Sequence, residues 1–148
     1  GTVTCVNWED TVETMVIALD DQLCQQLSSW CFLAYELIGG RLLGTFTAGD
    51  SIPIGPIPPH GSRIVKLIRW DEPTPWVLLG TDLHFSGGGV EIVEWSVKED
   101  GSLAGMLDTP WEYPVTITAM ALQADGSRAL RRTTVSSSPT DPSFRLHV

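Results

Sequence analysis

The chain has 148 residues, of which 43% are hydrophobic and 18% are charged, and its net charge is −9 at pH 7. A chain of this length can bury about two-thirds of its unfolded surface, so we expect a folded domain rather than disorder. No apolar run approaches the roughly 20 residues of a membrane span, and the basic residues form no cluster longer than Arg131-Arg132. We therefore expect neither a membrane nor a nucleic acid as a partner.

Short apolar runs alternate with turn residues along the whole chain. Tight hairpin turns are predicted at Gly39-Gly40, Asp100-Gly101 and Asp125-Gly126. Prolines exclude a helix before His60-Gly61, where we expect a turn whose positive φ is supplied by the glycine. The predicted strands, in chain order, span residues 2–8, 12–19, 30–37, 41–46, 63–70, 76–85, 90–98, 102–107, 115–122, 128–135 and 144–148.

This pattern predicts an all-β fold, an antiparallel β-sandwich of about ten short strands with little or no helix. A barrel-like arrangement is the alternative. Residues 23–29 are the one stretch where a short helix fits. We expect residues 1–148 to form a single domain, with a sub-boundary near the proline-containing connector 71–75. Because the chain opens directly on strand-like sequence, we also expect it to be excised from a longer protein.

The three cysteines, Cys5, Cys24 and Cys31, are an odd number and match no zinc-binding spacing. They are interpreted as small buried hydrophobic residues, and a Cys24–Cys31 disulfide is left open. No cofactor is expected.

The sequence contains no arrangement typical of an active site, although its three histidines leave a Ser-His-Asp set open. Glu91 and Glu94 are predicted on opposite faces of a strand, which does not suit paired-carboxylate chemistry. Asp82 and His84 share a strand face and could bind a metal, but a metal site needs three or more ligands. We interpret them as solvated surface and predict no metal site and no catalytic residue.

Aromatic side chains are the more suggestive feature, because a planar ring on a β-surface can stack on a sugar. Trp95 alternates with Val93 and Val97 and is predicted in the core. The remaining candidates point away from an apolar strand face or lie in a loop. The predicted sugar-binding set is Trp76, Trp111 and Tyr113, with Asp82 and His84 as hydrogen-bonding partners for sugar hydroxyls.

Several motifs occur in an order that resembles the C-terminal β-sandwich of alpha-galactosidase (melibiase) type glycoside hydrolases. The likeness covers roughly residues 3–108. Its motifs are Val6-Asn7-Trp8-Glu9-Asp10, Tyr35-Glu36, Gly39-Gly40-Arg41-Leu42-Leu43-Gly44, Pro58-Pro59-His60-Gly61-Ser62, Leu78-Leu79-Gly80-Thr81-Asp82-Leu83-His84 and Gly87-Gly88-Gly89-Val90-Glu91.

The resemblance implies that the catalytic carboxylates belong to a preceding barrel, which needs about 200 residues or more and cannot fit in this chain. The chain would then be a non-catalytic accessory domain that supports the barrel of the same polypeptide. A carbohydrate-binding module and a small stand-alone enzyme are the competing hypotheses. If the chain is such an accessory domain, His60 is a turn residue rather than a ligand or a base.

Overall fold

The computed structural model describes residues 1–19, 31–70, 74–83, 91–108, 112–137 and 140–148. Across these ranges the protein is all-β, with twelve strands in antiparallel sheets and no helix, which confirms the predicted fold class. Among the same residues, no helix is long and apolar enough to cross a membrane. The chain divides into two compact units, Gly1–Glu72 and Pro73–Val148, and the division falls inside the connector 71–75.

Unit 1 is a two-sheet sandwich. One sheet has the strand order β1-β6-β3-β4 and the other pairs β2 with β5. Its strands are β1 (Thr2–Val6), β2 (Glu13–Ala18), β3 (Cys31–Glu36), β4 (Arg41–Thr47), β5 (Ser51–Ile57) and β6 (Ser62–Trp70). Apolar side chains from both sheets fill the core, namely Ile17, Leu19, Phe32, Ala34, Ile52, Ile54, Ile57 and Val65.

Strand β5 directs three isoleucines into this core by means of a bulge. Ile52 and Ile54 alternate normally, whereas Ile57 follows three residues later and is also buried. The pairing with β2 shifts by one residue at this point. Gly55 has a φ of 81° there, a conformation that glycine adopts at little cost. The bulge therefore keeps Ile57 facing the core.

The turn after β5 carries the chain from one sheet to the other, because β5 pairs with β2 and β6 pairs with β1 and β3. The positive φ, 54°, belongs to His60, so the prediction that Gly61 supplies it is wrong. Gly61 is required for a different reason: a Cβ there would lie 2.8 Å from Cγ of Pro58. The amide of Gly61 also donates to the carbonyl of Pro58 at 2.9 Å.

Unit 2 is a second two-sheet sandwich, with strand orders β11-β10-β7 and β12-β9-β8. Its strands are β7 (Trp76–Thr81), β8 (Ile92–Val97), β9 (Leu103–Leu107), β10 (Tyr113–Leu122), β11 (Arg128–Ser137) and β12 (Ser143–Leu146). The core cluster between them is Trp76, Leu103, Leu107, Val115, Ile117, Ala119, Ala121, Phe144 and Leu146.

The three glycine turns predicted from the sequence all join antiparallel neighbours. They connect β3 to β4, β8 to β9 and β10 to β11. The predicted helix at 23–29 lies outside the described residues, as does Cys24, so the Cys24–Cys31 pairing stays open. Cys5 is half-buried on β1, and this burial raises the pKa of its thiol.

Candidate functional site

The side chain of Asn7 is fully buried where β1 ends, and it connects three chain segments. Its amide Nδ2 donates to the carbonyls of Thr11 at 2.7 Å, Ile57 at 3.0 Å and Pro58 at 3.1 Å. Its Oδ1 accepts from the amide of Glu9 at 3.0 Å. Buried carbonyls need such donors. Asn7 therefore attaches the end of one sheet to the last residues of β5 in the other.

Glu36, the last residue of β3, is the second buried polar side chain at this end of unit 1. Its Oε1 accepts from the amide of Gly39 at 2.9 Å, and its Oε2 accepts from Nε of Arg41 at 3.3 Å and Nη1 of Arg63 at 3.2 Å. Arg63 also donates to the carbonyl of Pro56 at 3.1 Å. Because Arg63 is on β6 and Pro56 is on β5, this guanidinium links the two sheets.

Motifs that are far apart in the sequence thus meet at one place, which we call the polar network: Asn7, Glu36, Arg41 and Arg63. Asn7, Glu36 and Arg41 come from three of the motifs that carry the family resemblance, and Arg63 directly follows a fourth. His60 lies at the same turn, with its Nε2 3.0 Å from Oδ1 of Asp10. Sequence reasoning singled out these motifs but did not anticipate that Glu36 binds Arg41 and Arg63, or that Asn7 binds backbone carbonyls at the same end of the unit.

Trp76 is not a surface residue, so its assignment to a sugar-binding surface is wrong. Only 1% of it is exposed, and its ring belongs to the core cluster of unit 2. It lies directly opposite the small Ala121 on β10, which leaves room for the indole. Its Nε1 donates to the carbonyl of Gly101 at 2.8 Å, which satisfies the one polar atom of the ring.

Of the other predicted sugar-binding residues, the structure brings Asp82 and Tyr113 to the same end of the β7–β10–β11 sheet. Asp82 is exposed, and its Oδ1 accepts from the amide of Thr116 at 2.8 Å. Tyr113 begins β10 and is 53% exposed. His84 and Trp111 lie outside the described residues. The pairing of Asp82 with His84, for a sugar or a metal, therefore stays untested.

Trp95, predicted in the core, is 44% exposed, so that prediction is wrong. It does point to the core-facing side of its sheet, because it lies opposite Gly105, which lies opposite the buried Phe144. Strand β8 is at the edge of that sheet, however, and no further described strand covers it. Alternation predicted the face correctly but not the position of the strand within the sheet.

The turn between β8 and β9 is held by a second set of polar contacts. Asp100 accepts from the hydroxyl of Ser102 at 2.6 Å and from Nη2 of Arg145 at 2.6 Å, and Nε of Arg145 donates to the Ser102 hydroxyl at 2.7 Å. These hydrogen bonds from Ser102 and Arg145 lower the pKa of Asp100 well below its ordinary value of 3.8. The contacts fasten the hairpin to β12.

Acidic side chains elsewhere in unit 2 also have structural partners. Glu91 is buried and accepts a hydrogen bond from the hydroxyl of Thr81. Glu94 is exposed on β8. In the part of the chain that the structure describes, no group of three or more His, Cys, Asp or Glu side chains is placed to hold a metal ion.

Replacing Glu36 with glutamine tests the polar network. Glu36→Gln turns one acceptor into a donor that faces two guanidinium groups. We expect unit 1 to lose about 2 kcal/mol, less than a fully buried ion pair would cost because Arg41 and Arg63 keep some solvent contact. The midpoint of thermal unfolding should fall by about 10 °C. The control is Glu9→Gln at an exposed position, and equal effects of the two substitutions would contradict this role.

The lowered pKa of Asp100 predicts a pH dependence. A carboxyl group whose pKa is lower in the folded state stabilises that state above its ordinary pKa, and the stabilisation is lost as pH falls through the lower value. Asp100→Asn should therefore lower the thermal midpoint at pH 7, and the difference from the unchanged protein should shrink at about pH 3 and below. Asp108→Asn, also exposed, is the control. A difference that stays constant with pH would refute the assignment.

No family model, curated protein or solved structure matches the chain. The resemblance to alpha-galactosidase type enzymes therefore rests on the sequence motifs themselves. What the structure adds is the geometry of the polar network and the exposure of the aromatic side chains.

Proposed function

We propose that the chain is a non-catalytic accessory β-sandwich of an alpha-galactosidase-like glycoside hydrolase, and that it supports a catalytic barrel in the same polypeptide. The observation that carries the proposal is the convergence of the family-like motifs on the polar network of unit 1. Asn7, Glu36 and Arg41 are 29 and 5 residues apart in the sequence, yet they act at one end of one sandwich.

The partners of these side chains indicate what the motifs are for. Asn7 binds backbone carbonyls of Thr11, Ile57 and Pro58, and Glu36 binds a backbone amide and two guanidinium groups. Asn7 and Arg63 thereby fix the relative position of the two sheets, and Glu36 orients Arg63. Side chains that fix the shape of the sandwich suit a module that must fit against a larger domain.

Deleting residues 1–148 from the longer polypeptide tests this function. The thermal midpoint of the barrel should fall by about 5 °C or more, because an inter-domain interface of ordinary size is lost. Activity at low temperature should persist, since the catalytic carboxylates would belong to the barrel. A barrel whose midpoint does not change on deletion would overturn the accessory role.

Carbohydrate binding is the second candidate, and the observation that favours it is the exposed ring of Tyr113 at the same sheet end as Asp82. An exposed aromatic ring can stack on a sugar, and a carboxylate at the same end of the sheet can accept hydrogen bonds from the hydroxyl groups of the sugar.

Isothermal titration of the chain with galactose and galactosides at millimolar concentration tests the second candidate. If it holds, heat of binding should be measured and should disappear in Tyr113→Ala. The control is Trp8→Ala, which removes an exposed aromatic ring from unit 1, whereas Tyr113 belongs to unit 2. The absence of binding, or binding that Tyr113→Ala leaves intact, would remove this candidate.

A further inference from the structure

The two-stranded sheet of unit 1 carries apolar side chains on both of its faces. One face supplies isoleucines to the core, and the register of β2 with β5 places a second set of residues on the other face. We name this second set the outer strip: Thr14, Val16 and Ala18 on β2, with Pro56, Pro53 and Ser51 opposite them on β5. All six residues are exposed. The outer strip therefore lies on one face of one sheet and is open to solvent.

No charged side chain interrupts the outer strip. Val16, at its centre, is 60% exposed and lies opposite Pro53. Val12, two residues before Thr14, continues the alternation of β2 and is equally exposed. An antiparallel sheet normally turns polar side chains to water, whereas strands that are apolar on both faces are typical of sheets covered on both sides. The composition of β2 and β5 is therefore close to that of a covered sheet.

The solvent-facing side of the β12–β9–β8 sheet in unit 2 shows the contrast. Its cross-strand rows are Glu94-Met106-Ser143 and Ser96-Ala104-Arg145. Each row carries one charged side chain, as expected where water is the only contact. In the outer strip none of the three cross-strand pairs carries a charge. Contact with solvent alone therefore does not account for the composition of the outer strip.

Carboxylates lie at the end of the outer strip where β2 begins and β5 ends. The side-chain amide of Asn7 donates to the carbonyls of Thr11 and Ile57, so the turn between β1 and β2 is held beside the last residue of β5. Glu9 and Asp10 belong to this turn, and both are exposed. This end of the strip is therefore acidic.

A further carboxylate lies at the opposite end. The carbonyl of Asp50 accepts from the amide of Leu19 at 2.8 Å, which places Asp50 beside the end of β2. Hydrogen bonds from the amide and the hydroxyl of Thr47 lower the pKa of the Asp50 carboxyl group, so it is ionised at neutral pH. No lysine or arginine occurs in residues 7–19 or 47–58. The outer strip is thus bordered by negative charge at both ends.

The basic side chains that come close to the first end are already bound to carboxylates. Arg63 reaches the carbonyl of Pro56, but its Nη1 binds Glu36. Nε2 of His60 lies 3.0 Å from Oδ1 of Asp10, and Glu9 adds a second negative charge to the same turn. Negative charge therefore predominates around the strip, in keeping with the net charge of −9.

The size and charge of the outer strip decide what kind of partner fits it. Two strands of six and seven residues form a strip about 20 Å long and about 10 Å wide. That footprint of about 200 Å² is far below the roughly 800 Å² that each copy contributes to a stable dimer. Two copies would also bring acidic ends together. One extended segment of about six residues matches the length of the strip.

We propose that the outer strip is a docking surface for an extended, basic segment of a partner protein. Apolar side chains of the segment cover Val16 and Pro53, and its lysine or arginine side chains reach the carboxylates that border the strip. The segment lies on the face of the sheet and adds no strand to it. The docking surface is defined by unit 1 alone and does not depend on the proposed function.

Selection from a library of random peptides of about twelve residues tests the proposal. The immobilised 148-residue chain should enrich peptides that combine β-branched or aromatic residues with lysine or arginine near an end. The selected peptides should bind Val16→Asp at least about tenfold more weakly, because a carboxylate would then face their apolar side chains. Val93→Asp, at a valine of unit 2 that is 57% exposed, is the matched control and should leave the affinity unchanged.

Val16→Thr keeps the β-branched shape of the side chain and therefore guards against a loss of folding in Val16→Asp. It should weaken binding by about threefold, because one buried methyl group is replaced by a hydroxyl group. No enrichment, enriched peptides that lack basic residues, or equal affinity for the unchanged chain and both Val16 variants would each overturn the proposal.

The charged ends have a measurement of their own. Fluorescence anisotropy of a labelled selected peptide should show weaker binding as salt rises from about 50 mM to about 300 mM, because salt screens exposed charges. The double variant Glu9→Gln, Asp10→Asn should bind about threefold more weakly at the lower salt concentration and should depend less on salt. An affinity that neither salt nor this variant changes would contradict the basic character of the partner.

Sedimentation of the chain alone covers the remaining occupant. The proposal predicts a monomer at about 100 μM, because the strip is too small to hold two copies together. A dimer that Val16→Asp dissociates and Val93→Asp does not would show that the strip is covered by a second copy, which would overturn the proposal.

Discussion

A sandwich must satisfy the backbone groups at the corner where the chain leaves one sheet for the other, and in unit 1 the amide of Asn7 does this. The carbonyls of Ile57 and Pro58 lie where β5 ends and the turn to β6 begins, and Asn7 reaches both of them from the end of β1. Arg63 adds a second link between the same two sheets and is itself oriented by Glu36. The packing of the isoleucines of β5 depends on this corner, because it sets how β5 approaches the other sheet.

Unit 2 also links its two sheets through a side chain, although the element that is held is a hairpin within one sheet. Its fastened element is the β8–β9 turn, which is bound by Arg145 from β12 and by the indole of Trp76 from β7. Arg145 belongs to the same sheet as the hairpin, whereas Trp76 belongs to the opposite sheet. In both units, therefore, a polar or amphipathic side chain bridges the two sheets. The residue type that does so differs between the units.

The parts of the fold that could be predicted are those set by neighbouring residues. Glycine turns and alternating apolar residues indicated the three hairpins and the all-β class, because turn geometry and strand pleating are local. The environments of Trp76 and Trp95 could not be obtained in this way. Both faces of β7 are apolar, so alternation does not tell which one faces the core, and the edge position of β8 depends on β9 and β12. The partners of Asn7 and Glu36 were equally hidden, since Arg63 is 27 residues from Glu36 and Ile57 is 50 residues from Asn7.

The order of strands in unit 1 also bears on how the protein folds. Strand β1 pairs with β6, and the backbone nitrogen of Gly1 donates to the carbonyl of Leu67, 66 residues away. During synthesis the first strand therefore has no partner until almost all of the unit has been made. Pairings at such separation are slow to form, because the loop between the strands must first be closed. Meanwhile β1 offers unpaired backbone groups, and its short length and exposed threonines, Thr2 and Thr4, limit how strongly it can associate with other chains while it waits.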